Sequence, residues 1–147
     1  MGSSELQNSI TGLQDQSVSD CSEPSQRATV LLVDDDGMVL RGIERSFQGS
    51  GIRLLSAISA AEARVYVTRH AVDLILSDNL MPGEFGSDFL AEVRHQYPQI
   101  KLMMLSGYMP QAAAERVRRE LGVINVLMKP CPASAVVKAV KDALDLS

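Results

Sequence analysis

The feature that most constrains the fold is a regular alternation between short apolar runs and segments with helical periodicity, sustained over about 120 residues. Such an alternation predicts a parallel β-sheet with helices on both faces, because each crossover between parallel strands has room for a helix. The runs are nearly continuous in apolar residues, as is typical of strands that are buried on both faces. Five runs show this pattern: residues 29–34, 53–57, 73–78, 102–106 and 125–129.

Five helices are predicted between and after these runs. The segment "SAAE" at 59–62 matches a capping box and predicts a helix that continues to Arg69. Pro98 is expected to end the third helix, and Gly122 the fourth, because glycine readily adopts the left-handed conformation that closes many helices. Together, the five strands and five helices predict a doubly wound α/β fold. If it is of the flavodoxin-like kind, with strand order 2-1-3-4-5, strands one and three are neighbours.

Polar residues follow several of the predicted strands. The first strand runs into three consecutive aspartates at 34–36, the third ends at Asp78, the fourth at Ser106 and the fifth at Lys129. In open parallel sheets, ligands bind at the carboxyl ends of the strands, where the strand order reverses. Like charges about 4 Å apart repel by about 4 kcal/mol at an effective dielectric of 20, so crowded carboxylates indicate a bound cation. Oxygen ligands suit Mg²⁺, which also binds phosphate oxygens, and the hydroxyl and the lysine suit a phosphoryl group beside it.

Composition separates the first 27 residues from the rest and excludes some classes of function. Residues 1–27 are rich in Ser and Gln without a sustained apolar period, which predicts a flexible N-terminal arm before a single domain over 28–147. The net charge is −4 and the basic residues are scattered, so we expect no direct nucleic-acid binding. Two widely separated cysteines, and the lack of any apolar stretch near the ~18 residues of a membrane span, predict a cytoplasmic protein without membrane contact.

Four short motifs each lie at the end of a predicted strand: the acidic pair Asp34–Asp35, "SDNLMPGEFG" at 77–86, "LSGY" at 105–108 and "MKP" at 128–130. Together they resemble the receiver domain of two-component response regulators. The resemblance extends over residues 28–146 and implies a signalling module rather than an enzyme. Such a module takes a phosphoryl group from a histidine kinase or phosphotransfer protein. It then changes its binding to an effector domain or protein partner, through the face formed by helix 4, strand 5 and helix 5, or forms a homodimer.

The resemblance implies a role for each matched residue. Asp78 corresponds to the phosphoacceptor, and Ser106 and Lys129 to the residues that bind phosphoryl oxygens. The peptide bond before Pro130 is expected to be cis. The implied ligands of a Mg²⁺ or Mn²⁺ ion are Asp34, Asp35, Asp78 and the backbone carbonyl of Leu80.

Three positions predict unusual signalling properties. Many receivers have Tyr or Phe three residues before the lysine, where this chain has Val126, which cannot make the inward ring movement of an aromatic switch. The side chains of Leu80 and Tyr108 are expected to flank the path of a water molecule that attacks the phosphoryl group. Neither is a carboxylate or an amide that could orient this water, so we expect slow hydrolysis.

Two other functions stay open at the level of sequence. The segment "DDDGM" at 34–38 also resembles the first motif of haloacid-dehalogenase phosphatases, with Asp34 as nucleophile and Asp36 as general acid. Met38 occupies the place where Thr or Val is usual in that family, and no second acidic motif follows a later strand. The other alternative is a receiver fold that binds proteins without phosphorylation. The complete set of acidic, hydroxyl and lysine residues argues against it.

Overall fold

Five parallel strands form the central sheet of a computed structural model that describes residues 27–146. The predicted arm, residues 1–27, lies outside the described residues apart from Arg27. The sheet strands, numbered along the chain, are β1 (Thr29–Val33), β2 (Arg53–Ala57), β3 (Leu74–Asp78), β4 (Lys101–Ser106) and β5 (Val123–Met128). Their spatial order is β2-β1-β3-β4-β5, and every neighbouring pair is parallel, which confirms the predicted fold.

Five helices connect or follow these strands, close to the predicted positions. They are α1 (Gly37–Ser46), α2 (Ala60–Arg69), α3 (Gly86–Gln96), α4 (Gln111–Leu121) and α5 (Ala133–Ala143). None of the helices within residues 27–146 is long and apolar enough to cross a membrane.

The predicted caps of α2 and α4 are present, with one difference in detail. The hydroxyl of Ser59 accepts from the backbone N–H of Glu62, as in a capping box, whereas the Glu62 carboxylate accepts from the N–H of Ile58 rather than that of Ser59. Gly122 ends α4 at φ +69°, in the left-handed region that favours glycine. Local sequence therefore accounts for these helix boundaries.

Side chains from the two faces of the sheet form two separate core clusters. Along β1, Leu31 and Val33 contribute to one cluster, and Val30 and Leu32 to the other, because successive strand residues point to opposite faces. Helices α2 and α3 supply buried residues to the first cluster, and α4 packs partly against it. Helices α1 and α5 cover the second cluster. The helices thus cover the two faces of the sheet, and the predicted site residues lie at its carboxyl end.

A short antiparallel hairpin follows β3, and the sequence analysis did not predict it. Leu80–Met81 pairs with Glu84–Phe85, and Gly83 in the turn has φ +84°. Gly86, directly after the hairpin, packs so closely that a Cβ atom there would lie 2.0 Å from the carbonyl oxygen of Asp78. The chain can therefore return beside Asp78 only because residue 86 has no side chain.

Candidate functional site

Three aspartates meet at the carboxyl end of the sheet because β1 and β3 are neighbours. One carboxylate oxygen from each of Asp34, Asp35 and Asp78 lies within 4.8 Å of the other two. Asp34 and Asp78 are buried, with 3% and 6% exposure, whereas Asp35 is exposed. The carboxylate cluster that the sequence predicted is therefore formed.

Lys129, which follows β5, reaches across the sheet edge into this cluster. Its Nζ lies 3.0 Å from Asp34 Oδ2 and 3.4 Å from Asp78 Oδ2. The backbone N–H of Lys129 donates to the carbonyl of Ser106 at 2.7 Å. This bond holds the start of the loop after β5 against the end of β4. The lysine thus pairs with two carboxylates that come from different strands.

The pKa of Asp78 is raised within the cluster, mainly because the carboxylate is buried. Burial raises the pKa of Asp78 above its usual value, and the neighbouring Asp34 raises it further, while Lys129 opposes the rise. Burial acts to lower the pKa of Lys129, but its hydrogen bond to Asp34 and the charges of both aspartates outweigh this and raise it. With three carboxylates and one lysine, the cluster has an excess of negative charge that a divalent cation would neutralise.

Asp36 has a different task from the two aspartates before it. Its carboxylate caps α1 by accepting from the backbone N–H of Met38 at 3.0 Å. The N–H of Asp36 in turn donates to Asp34 Oδ1 at 2.9 Å, so the cap also holds the buried carboxylate in place. The phosphatase hypothesis needs Asp36 as a general acid, whereas here its carboxylate is a helix cap.

The remaining predicted residues lie around the cluster with different degrees of contact. The backbone of Leu80 acts to lower the pKa of Asp78, against the effect of burial, while the Leu80 side chain is 62% exposed. Tyr108 is 80% exposed. Ser106 is buried, and its hydroxyl donates to the carbonyl of Tyr108 at 3.2 Å rather than to an aspartate. Val126 lies within β5, three residues before Lys129, and its half-buried side chain packs against the core.

Two features of the site backbone complete its geometry. The Lys129–Pro130 peptide bond is cis, as the resemblance implies. Gly86, which sequence reasoning did not single out, donates its N–H to the carbonyl of Asn79 at 2.7 Å and closes the hairpin beside Asp78. Its position as the last residue of the "SDNLMPGEFG" motif was the available signal.

The fold and the site together define the class of protein. A five-stranded doubly wound sheet, with aspartates after β1 and β3 and a lysine after β5, is the arrangement expected of a phosphoacceptor signalling domain. The family model described as "Response regulator receiver domain" matches residues 30–141. The chain therefore belongs to the response regulator receiver domain family, which confirms the class predicted from its motifs.

Sequence relatives agree with this assignment. The chain is 33% identical over 120 residues to the hydrogenase transcriptional regulatory protein HoxA of Cupriavidus necator, covering 82% of this chain and 25% of that protein. It is also 33% identical over 123 residues to the sensor kinase CckA of Brucella abortus, covering 82% of this chain and 13% of the kinase. The chain thus spans a quarter or less of these two relatives.

Solved structures show the same architecture. The signal receiver domain of an HD domain-containing protein from Pseudomonas fluorescens superposes with a TM-score of 0.76 at 25% identity, covering 82% of this chain and 96% of that one. A CheY-like receiver domain protein from Methanospirillum hungatei gives a TM-score of 0.75 at 23% identity, covering 82% and 95%. Receivers are signalling modules that interact with kinases and effector domains, so family membership places this chain in signal transduction.

Proposed function

We propose that this chain accepts a phosphoryl group on Asp78 and that the resulting acyl phosphate changes its binding to a partner. The observation that carries the proposal is the carboxylate of Asp78, placed 3.4 Å from Lys129 Nζ and within 4.8 Å of oxygens from Asp34 and Asp35. One edge of the sheet therefore offers an oxygen nucleophile on Asp78, the ammonium group of Lys129 for the incoming phosphoryl group, and further carboxylates that could bind a metal ion.

The donor set suits a hard divalent cation. The three carboxylates of the cluster offer oxygen, which is the ligand type of Mg²⁺ and Mn²⁺. Such an ion would be held by Asp34, Asp35 and Asp78, with the backbone carbonyl of Leu80. When bound, it supplies positive charge for the phosphoryl oxygens.

The chain's own groups then determine the course of the transfer. An oxygen of Asp78 forms a bond to phosphorus as the phosphorus–nitrogen bond of a phosphohistidine breaks, and the freed imidazole keeps the electron pair and takes a proton. Lys129 pairs with a phosphoryl oxygen and stabilises the charge that spreads over the transferring group. The hydroxyl of Ser106 leaves the carbonyl of Tyr108 and donates to another phosphoryl oxygen, so the loop after β4 changes position.

The proposed partners follow from this movement. The phosphodonor is a histidine kinase or a phosphotransfer protein. The surface formed by α4, β5 and α5 is the proposed binding face for an effector or for a second copy of the chain, because the loop after β4 leads into α4. Helix α4 has no fully buried residue, so its packing offers little resistance to a shift. We also propose a cytoplasmic location, which suits a chain with two cysteines far apart in sequence.

Phosphorylation by a small donor tests the proposal directly. Acetyl phosphate or phosphoramidate with Mg²⁺ should add one phosphoryl group to the intact protein, detected by intact-mass measurement. Asp78→Asn should abolish the addition, whereas Asp36→Asn, which retains an oxygen for the helix cap, should not. Undiminished labelling of Asp78→Asn would refute the acceptor assignment. An unlabelled wild type would instead favour a binding module that works without phosphorylation.

A further inference from the structure

A second charged network lies between α2, α3 and the hairpin and centres on the guanidinium of Arg64. Its Nε and Nη2 donate to the two carboxylate oxygens of Glu92, at 2.9 and 3.0 Å. The same Nη2 donates to Glu84 at 2.5 Å. The Arg64 Cζ also lies 5.5 Å from the ring centre of the buried Phe89. One guanidinium therefore joins two helices to the hairpin.

The hairpin connects this network to the phosphoryl site. Glu84 pairs with Met81, and Leu80 pairs with Phe85, in the two antiparallel steps of the hairpin. Leu80 is two residues after Asp78, and the N–H of Gly86, directly after the hairpin, donates to the carbonyl of Asn79 at 2.7 Å. A hold on Glu84 is thus transmitted over two cross-strand pairs to the backbone that follows the acceptor.

The network has the geometry of a strong surface interaction. Isolated exposed ion pairs contribute little to stability, but planar bidentate pairs with arginine are stronger and directional. The Arg64 side chain is 36% exposed, and those of its two carboxylate partners 28% and 38%, so solvent screens the network only partly. The hydrogen bonds that Arg64 donates to Glu92 and then to Glu84 raise the pKa of Arg64, and the pKa of Glu92 is lowered in return.

Building on the proposed metal-dependent function, we propose that Arg64 is a positioning residue for the phosphoryl site. Its bond to Glu84 holds the hairpin against α2, and the hairpin holds the backbone of Leu80 beside Asp78. The bidentate bond to Glu92 has a separate task, which is to orient the guanidinium and to join α2 to α3. The two carboxylates therefore have distinguishable effects: loss of Glu84 loosens the site, and loss of Glu92 mainly destabilises the fold.

Three glutamine variants separate this proposal from a simple charge effect. Arg64→Gln removes a positive charge, which on electrostatic grounds alone would strengthen Mg²⁺ binding, whereas Glu84→Gln removes a negative charge and would weaken it. If Arg64 acts by positioning the hairpin, both variants weaken Mg²⁺ binding by about three- to tenfold. This effect is smaller than that of removing a group that hydrogen-bonds directly to a metal ligand. Glu92→Gln changes the charge in the same way as Glu84→Gln and serves as the matched control. Its effect on Mg²⁺ binding should stay below about twofold.

Two measurements decide the outcome. Calorimetric titration with Mg²⁺ gives the affinity, and hydrogen exchange at Leu80, Met81 and Phe85 in the metal-free protein reports directly on the hairpin. Arg64→Gln and Glu84→Gln should exchange faster at these amides than Glu92→Gln. Wild-type affinity and exchange in Glu84→Gln would overturn the proposal, and so would equal losses of affinity in Glu84→Gln and Glu92→Gln. If even the wild type bound no Mg²⁺, the proposed metal-dependent function would fail, while the exchange rates would still test the hold on the hairpin.

Discussion

Lys129 and Asp34 are 95 positions apart in the sequence, and their side chains meet at 3.0 Å at the edge of the sheet. This ion pair joins the end of β5 to the end of β1 across the two strands that lie between them. Lys129 is also 3.4 Å from Asp78, so the pair places a cation beside the proposed acceptor before any phosphoryl group arrives. A phosphoryl group on Asp78 would compete with Asp34 for this lysine, which links occupancy of the site to the position of the loop after β5.

The two exposed aspartates should separate into a metal ligand and a helix cap. Asp35→Ala should weaken Mg²⁺ binding strongly, by about tenfold or more, with little effect on stability, since Asp35 is exposed and belongs to the carboxylate cluster. Asp36→Ala should lower the free energy of unfolding by about 1 kcal/mol through loss of the α1 cap and change Mg²⁺ affinity only slightly. Calorimetry and denaturant unfolding measure the two effects. Equal losses of affinity in both variants would mean that the acidic pair is misassigned.

The pH dependence of stability should reveal the cost of ionising the buried Asp78. Because the pKa of Asp78 is raised in the folded protein, ionisation of Asp78 costs stability. In the metal-free protein, stability relative to Asp78→Asn should fall as the pH rises from about 4, the unfolded value, through the raised folded value. At pH 7 with a chelator present, Asp78→Asn should therefore have the higher Tm, and Mg²⁺ should stabilise the wild type more than the variant. A Tm of the wild type above that of Asp78→Asn under metal-free conditions would contradict this.

The lifetime of the phosphorylated state should depend on Leu80 and Tyr108. Both side chains are exposed at the site, and neither can orient a water molecule for attack on phosphorus. The double substitution Leu80→Asn with Tyr108→Glu should speed hydrolysis about tenfold or more, equivalent to about 1.4 kcal/mol of the barrier. Decay of the phosphorylated protein at fixed Mg²⁺ measures this, with Gln99→Glu, at an exposed position before β4, as a control for added charge. Decay at the wild-type rate in the double variant would show that these side chains do not control access of water.

Residues 1–27 should be dispensable for phosphorylation. Every strand, every helix and every proposed site residue of the described chain lies between residues 28 and 146. A protein that begins at Ala28 should therefore keep its Tm within about 2 °C, as expected when less than roughly 0.5 kcal/mol is lost, and should be labelled at the wild-type rate. A marked fall in Tm would show that the N-terminal arm packs on the domain.

Much of the fold followed from local patterns in the sequence. The apolar runs correspond to the five strands because buried parallel strands need continuous apolar surface. Ser59 begins α2 and Gly122 ends α4 through hydrogen bonds and backbone conformations that involve only neighbouring residues. The short hairpin after β3 was not predicted. Its strands are two residues each and lack the alternation that marks a longer strand.

The sequence by itself determined the alternation of strands and helices, the strand ends at which the polar residues lie and the kinds of chemistry they offer. Tertiary structure decided what each of them contacts: Asp36 caps α1, Ser106 bonds to Tyr108, and Arg64 holds Glu84 across 20 positions. Periodicity and capping act within a few residues, so a single sequence displays them. A contact between distant side chains depends on how whole helices pack and on which partner offers the better geometry, and only the folded chain contains that information.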